Sequence, residues 1–426
     1  MAHTASTFAN GARPLQARAC AVAAATLCML ALNPARAHDA SDASIPASPG
    51  LQINATAAVG YQHADQPVPA ARLTGVLGLG DTPTDQRGWA LEHGTLGASV
   101  RLTPLLGATA TIGKHGSERA HTEEAWVEVR PSADSDFTLG AGRNRMPLGP
   151  VIGNAGHLDR FGQMPLIKRA AFNGDWIEDG VNLSWRPHLG GAFEWLQGID
   201  AGLWRARRFP GSENAAWAPT VRARAAGAVW GNAGDWEADA FYSRLEPQGR
   251  GAYVQRSNSG HIHTAPQCSA SLRDITCFDG TVDLLGASAS WATPLPGVRL
   301  TAAGVLRNER GNLYSQNGDT RYKGRTSGGW LEALWQPTAQ WDVAVRQEWL
   351  RSTHSLDGPG ATLVATDANL LPYHPSRRFT AMLGWRPHPS VLLALEAGRE
   401  RIAGQGNSLV ALRLVYTPGP LLERSW

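Results

Sequence analysis

Seven times along this chain a run of alternating apolar residues stops at a proline corner. The corners are Leu102-Thr103-Pro104, Val129-Arg130-Pro131, Trp185-Arg186-Pro187, Trp291 with Pro294, Trp335-Gln336-Pro337, Trp385-Arg386-Pro387 and Tyr416-Thr417-Pro418. An eighth corner, Val229 to Trp236, uses glycines instead. After every corner except that at Tyr416 a new alternating run begins within a few residues. Proline ends a strand by removing a ladder donor, and Gly and Asn supply turn dihedrals, so these are short hairpin turns. Between them lie long polar connections at 63–88, 115–121, 146–177, 208–218, 246–280, 311–324, 353–375 and 402–406. Short and long connections alternate strictly, which implies about 16 antiparallel strands with both chain ends on the short-turn side.

The runs themselves have period two, and no stretch keeps a helical apolar period for more than about three turns. Val181, Leu183 and Trp185 alternate with Asn182 and Ser184. Phe379, Ala381, Leu383 and Trp385 do so with Thr380, Met382, Gly384 and Arg386, and Val410, Leu412, Leu414 and Tyr416 lie opposite Arg413. Successive strand side chains point to opposite faces, so each run has one apolar and one polar face. Strands are expected near 51–62, 89–103, 106–114, 122–130, 136–145, 178–187, 197–207, 219–230, 234–245, 281–293, 298–310, 325–337, 340–352, 376–387, 390–401 and 407–417. The strand-like residues 71–79 are placed in the first connection, which keeps the strand number even. Short periplasmic turns, long extracellular loops and two-faced strands are the signature of an all-β transmembrane antiparallel β-barrel of the outer membrane.

The N-terminus fits that destination. Arg13 and Arg18 precede the apolar stretch Ala19–Leu32, and Ala35-Arg36-Ala37 forms an A-x-A cleavage site. Residues 1–37 are therefore expected to be a cleaved signal peptide, 38–50 a flexible periplasmic lead-in, and 51–426 the barrel. Without Arg13, Arg18 and Arg36 the chain has 36 basic and 36 acidic residues, so nucleic-acid binding has no electrostatic footprint. Cys268 and Cys277 are expected to close a disulfide in an oxidising compartment. His261 and His263 nearby meet metal-ligand spacing poorly, so neither a metal nor a cofactor is expected. No catalytic motif is present, and no enzyme activity is expected.

Trp185, Trp230, Trp291, Trp335 and Trp385 gather at the short-turn ends and read as an interfacial aromatic girdle facing the outer-membrane lipids. The opposite face carries Arg101, Arg130, Arg186, Arg222, Arg224, Arg299, Arg307, Arg346, Arg386 and Arg413, with fewer acids: Glu128, Glu237, Asp239, Glu332, Glu348 and Glu396. A wall this wide encloses an aqueous lumen, and the arginine excess along it points to small hydrophilic solutes or ions, with a modest anion preference. The connection 146–177 is too apolar for an exposed loop. Leu148, Val151, Ile152, Leu158, Phe161, Leu166, Ile167 and Phe172 need burial, and the barrel interior offers it. Folded inward, the segment and the strand before it would present Arg143, Arg145, Asp159, Arg160, Lys168, Arg169 and Asp175 at a constriction.

The stretch FTLGAGRNRMPLG…HLDRFGQ…AFNGDWIEDGVNLSW, residues 137 to 185, resembles bacterial porins of the phosphate-selective type. Its carriers are Gly142-Arg143 before the long connection and Gly180-Val181-Asn182-Leu183-Ser184-Trp185 after it. The resemblance implies an outer-membrane porin for passive diffusion and a homotrimer. Two other functions suit the same barrel: ligand binding or adhesion by the long loops over a closed lumen, and an outer-membrane lipid hydrolase.

Overall fold

The computed structural model describes residues 45–65, 73, 75–78, 88–116, 119–154, 159–229, 234–254, 268, 272–371, 373–402 and 404–426. The expected signal peptide, residues 38–44 of the lead-in, Trp230, Leu158, His261 and His263 lie outside the described residues.

The strands are β1 (Gly50–Ala64), β2 (Gly88–Thr103), β3 (Leu106–Lys114), β4 (His121–Val129), β5 (Phe137–Arg145), β6 (Ile177–Trp185), β7 (Leu196–Trp204), β8 (Ala218–Ala228) and β9 (Asp235–Leu245). They continue as β10 (Arg250–Tyr253), β11 (Ile275–Ala292), β12 (Val298–Ser315), β13 (Gly318–Thr338), β14 (Trp341–Asp357), β15 (Ser376–His388), β16 (Val391–Ile402), β17 (Gln405–Tyr416) and β18 (Leu422–Ser425). Each long strand pairs antiparallel with the next long strand in sequence, β9 passing over β10 to β11, and β1 closes the ring on β17 through Ala57↔Tyr416 to Ala64↔Leu409. The four-residue β10 and β18 continue the lines of β9 and β17 against β11 and β1. Closure removes every free edge, and the wall is sixteen strands around. Residues 75–78 begin in a turn and belong to no strand, inside the first connection as expected.

Two connections differ from expectation. Strand pairing runs out to Ser315↔Gly318 and to Ile402↔Gln405, so 311–324 and 402–406 are tight hairpins. The alternation does not stop at the membrane: Leu313, Thr320 and Tyr322 keep the inward parity and are buried. Wall height is accordingly uneven. β3 to β7 have 9 residues each, whereas β11 to β14 have 18, 18, 21 and 17.

Outward side chains are those of the apolar parity, including Val181, Leu183, Val343, Val345, Phe379, Leu383, Leu395, Val410 and Leu412, all exposed. Trp291, Trp335 and Trp385 lie exposed at the short-turn end, and Trp341 stacks on Trp385 at 6.4 Å. Trp185 stands with Phe137 at 6.3 Å. A second aromatic set, Tyr61 with Trp89 at 5.3 Å, Trp217 and Trp349, occupies the opposite ends of the strands. Above it the outward positions of the tall side become basic: Arg310, Lys323, Arg325, Arg351, Arg377, Arg399 and Arg401, all exposed. From Trp341 to Arg351 on β14 the strand climbs about 34 Å, which a tilt near 45° reduces to about 24 Å, the height of a lipid-facing band.

Leu395 is mid-band on β16, between Val391 and Arg399. Leu395→Arg is expected to destabilise the barrel in vesicles by about 2–4 kcal/mol, and Arg401→Gln by less than about 0.5 kcal/mol. Urea unfolding followed by tryptophan fluorescence measures both.

Candidate functional site

An irregular segment inside a barrel must find partners for its backbone, because it has left both the ladder and the water. The connection between β5 and β6 does so against the far wall. Gly162 N–H donates to Glu396 Oε1 at 2.8 Å, and Leu166 N–H to Glu348 Oε2 at 2.7 Å. The carbonyls of Asp159 and Ala170 accept from Arg413 Nη1 at 2.7 Å and Arg307 Nη1 at 2.6 Å. Arg346 and Arg378 donate to the carbonyls of Gln163 and Met164. The segment thus crosses the interior from β5 and β6 to β12–β17.

Its one helix, α1 (Leu166–Phe172), is buried on every side and ends at Asn173 in the left-handed conformation (φ 59°). Around it Met146, Leu148, Ile152, Leu166, Ile167, Phe172 and Trp176 pack into one cluster with inward wall residues Trp126, Trp204, Phe241, Val305, Trp330 and Leu350. The same cluster takes in Leu73, Val76 and Leu77 of the first connection and Val364 and Ala365 of α2 (Ala361–Asp367). Phe161 lies in a separate apolar patch with Leu334, Ala344, Met382, Leu392 and Val415, and the Arg346 guanidinium stands 4.4 Å from its ring centroid.

The expected constriction residues are distributed differently. Asp159 and Arg160 do reach the far wall, but as partners of Arg346 at 3.3 Å and Glu332 at 3.0 Å. Lys168 turns back onto Asp175 of its own segment at 2.8 Å. Arg169, on the same helix, is buried. Arg145 binds Glu123 at 3.0 Å and Glu124 at 2.8 Å. Arg143 requires correction: the register sets it opposite Ala125 and Asp179, on the outward face shared by Leu139 and Val181. There it makes a two-pronged bond to Asp179 at 2.8 and 3.1 Å. Its odd parity with Leu139 and Ala141 carries that signal.

Lumen-wall residues divide in two. Arg307, Arg346 and Glu348 are completely covered by the crossing segment and hold it. Arg101 pairs with Glu128 and also donates to Pro46 O at 3.0 Å, which places residue 46 of the lead-in against the wall. Arg222 bridges to Asp200 at 2.7 Å. Arg130, Arg186, Arg224 and Arg299 keep 30, 40, 41 and 47% of their side chains exposed, against 33% for Glu237 and 19% for Glu128. Sequence reasoning missed Arg378, which chelates Glu348 at 3.0 and 3.1 Å. Its parity with Thr380 and Met382, opposite Phe379, was the available clue. Cys268 and Cys277 are joined by a disulfide with Cα atoms 6.0 Å apart, at the start of β11.

No family model matches the chain, and no curated protein is similar to it in sequence. Solved structures are similar in fold. The outer membrane channel DcaP of Acinetobacter baumannii superposes with a TM-score of 0.53 at 8% identity, over 89% of this chain and 100% of that one. OmpT of Vibrio cholerae in its trimer form gives 0.52 at 8%, over 87% and 100%. The anion-selective porin from Comamonas acidovorans gives 0.51 at 10%, over 86% and 99%. The chain has the fold of outer-membrane barrels.

Glu348 is the centre of the anchoring. Glu348→Ala leaves Arg346 and Arg378 buried without a carboxylate and Leu166 N–H without its acceptor, at a cost of about 3–5 kcal/mol to the docked segment. Trypsin is expected to cut at Lys168 and Arg169 in the folded variant and to spare them in the parent barrel. Mass spectrometry of the fragments checks this.

Proposed function

We propose that this protein is a porin through which small hydrophilic solutes and ions diffuse passively, with segment 146–177 narrowing the passage and anions favoured. The observation that carries this is the set of lumen-facing arginines left in water. Arg130, Arg186, Arg224 and Arg299 retain exposure along the lower lumen wall, where four guanidiniums face three carboxylates: Glu128 is 3.9 Å from Arg130, Asp200 is 2.7 Å from Arg186, and Glu237 is 3.6 Å from Arg224 and 3.9 Å from Arg299. Positive side chains lining a water-filled passage raise the local anion concentration. Because the segment docks on β12–β17, solute would pass along the opposite side, against β4–β9. The chemistry is steric and electrostatic sieving, with no bond made or broken.

The likeness of residues 137–185 to phosphate-selective porins supports a porin-like barrel, and the trimer form of the Vibrio cholerae barrel supports a homotrimer. A second reading rests on the apolar cluster that links Trp126 and Trp204 to Trp330 and Leu350 across the interior. Such a cluster suits a barrel that is closed at rest and uses its loops to bind.

Planar-bilayer recording separates the two. Single-channel steps with a chloride-favouring reversal potential in a KCl gradient are expected, and Arg224→Gln combined with Arg299→Gln should move that potential toward zero. Deleting residues 155–170 should raise the unit conductance. Folded protein that is silent until the deletion is made would establish the closed barrel instead.

A further inference from the structure

Three histidines converge at the outer ends of β2, β3 and β4, where the porin reading has no use for them. His93 Nε2 lies 2.5 Å from Glu123 Oε1, His115 Nε2 3.4 Å from it and His121 Nε2 3.8 Å from it. One ligand atom each from His93, His115 and Glu123 falls within 4.8 Å of the others. The rings stack nearly parallel, His93 on His115 at 4.0 Å and His115 on His121 at 5.3 Å, with each Nε2 within 3.8 Å of the same carboxylate oxygen.

The protons decide what this arrangement wants. His115 Nδ1 is 3.3 Å from the carbonyl of Glu92, and His121 Nδ1 is 3.4 Å from that of Arg119. A carbonyl only accepts, so each Nδ1 carries the hydrogen, an assignment made from the bonding partner. In the neutral ring Nε2 then presents a lone pair toward Glu123, acceptor facing acceptor. A second proton on the ring or a metal ion between them resolves the conflict, and a backbone carbonyl on the remote nitrogen is how metal-binding imidazoles are oriented. Arg145 Nη2 holds the other carboxylate oxygen at 3.0 Å, leaving Oε1 turned to the histidines.

The space is kept by Gly113. A Cβ there would lie 2.0 Å from Glu123 Oε1 and 2.8 Å from His93 Nε2. His93 and Glu123 are each 2% exposed, whereas His115 and His121 retain 32 and 29%, so the cluster opens to the outside. We propose that His93, His115, His121 and Glu123 form a binding site for a divalent transition metal of the zinc class. Three imidazole nitrogens and one carboxylate oxygen are a zinc donor set. Bonds of about 2.0–2.1 Å in a tetrahedron put ligand atoms about 3.4 Å apart. His93, His115 and Glu123 already lie together, whereas His121 stands farther out and must swing inward to join them as the His93–Glu123 contact opens. The ion would staple β2, the β2–β3 connection and β4 together. It would also act on the carboxylate that holds Arg145, the residue just before the crossing segment.

Zinc titration of the untagged, refolded mature chain in detergent, by calorimetry and by competition with a chromogenic chelator, tests the site. One zinc per chain is expected. Each of His115→Ala and His121→Ala should weaken binding about 10–100-fold, and the pair should abolish it. Both rings are half-exposed, so the barrel should stay folded, as heat-modifiable mobility on electrophoresis will show. Absence of zinc uptake, or uptake unchanged in the folded double variant, would overturn the proposal.

Discussion

A backbone that leaves a β-ladder and crosses the inside of a barrel takes its N–H and C=O groups away from their partners, and each one left unmade costs on the order of 1–3 kcal/mol. The crossing segment meets this by borrowing charges from the wall. Carboxylates of Glu348 and Glu396 accept from its N–H groups, and the guanidiniums of Arg307, Arg346, Arg378 and Arg413 donate to its carbonyls. The two roles require opposite charges interleaved on neighbouring strands. The same interleaving lets each anchor neutralise its neighbour, as Glu348 does for Arg346 and Arg378 at 3.0 Å each. Remove the docked segment and these ions face water across an open lumen; with it in place they are sealed and position six backbone groups.

The wall lives in two solvents at once. Outward, its apolar parity lies exposed between two sets of aromatic rings, with the basic belt of the tall side beyond them, the pattern that suits a lipid-facing wall. Inward, the interior is neither wholly wet nor wholly packed. Its outer half is organised by the apolar cluster around α1, which buries Leu166 and Ile167 completely. Its lower half on the β4–β12 side leaves Arg186, Arg224 and Arg299 partly exposed. The uneven height follows from this division, since β11–β14 must rise far enough to cover the cluster with Leu313 and Tyr322.

Much of the architecture could be read from the chain before folding, because strand alternation and turn chemistry are local. Proline at 187, 337 and 387 ends a run wherever it occurs, and the parity of Phe379, Leu383 and Trp385 assigns a face without knowledge of the neighbours. The same parity, applied more strictly, would have placed Arg143 outward and Arg378 inward. The excess apolar content of 146–177 likewise required an interior for that segment. Outer strand ends were less legible: Gly311–Thr320 reads as polar loop in one dimension and pairs as a hairpin in three.

What the sequence by itself determined is therefore the two-faced wall, its strand number and the need of one connection to be buried, since each follows from spacing along the chain. The tertiary structure alone decided which charges face which. Asp159 and Arg346 are 187 positions apart, and Arg413 and Glu92 are 321 apart, so no local pattern can announce that they meet. His93, His115 and His121 fall on one carboxylate for the same reason. Covalent spacing sets the direction of a side chain, whereas ring closure and the path of the crossing segment set its partner, and only the partner makes a charge a sieve, an anchor or a ligand.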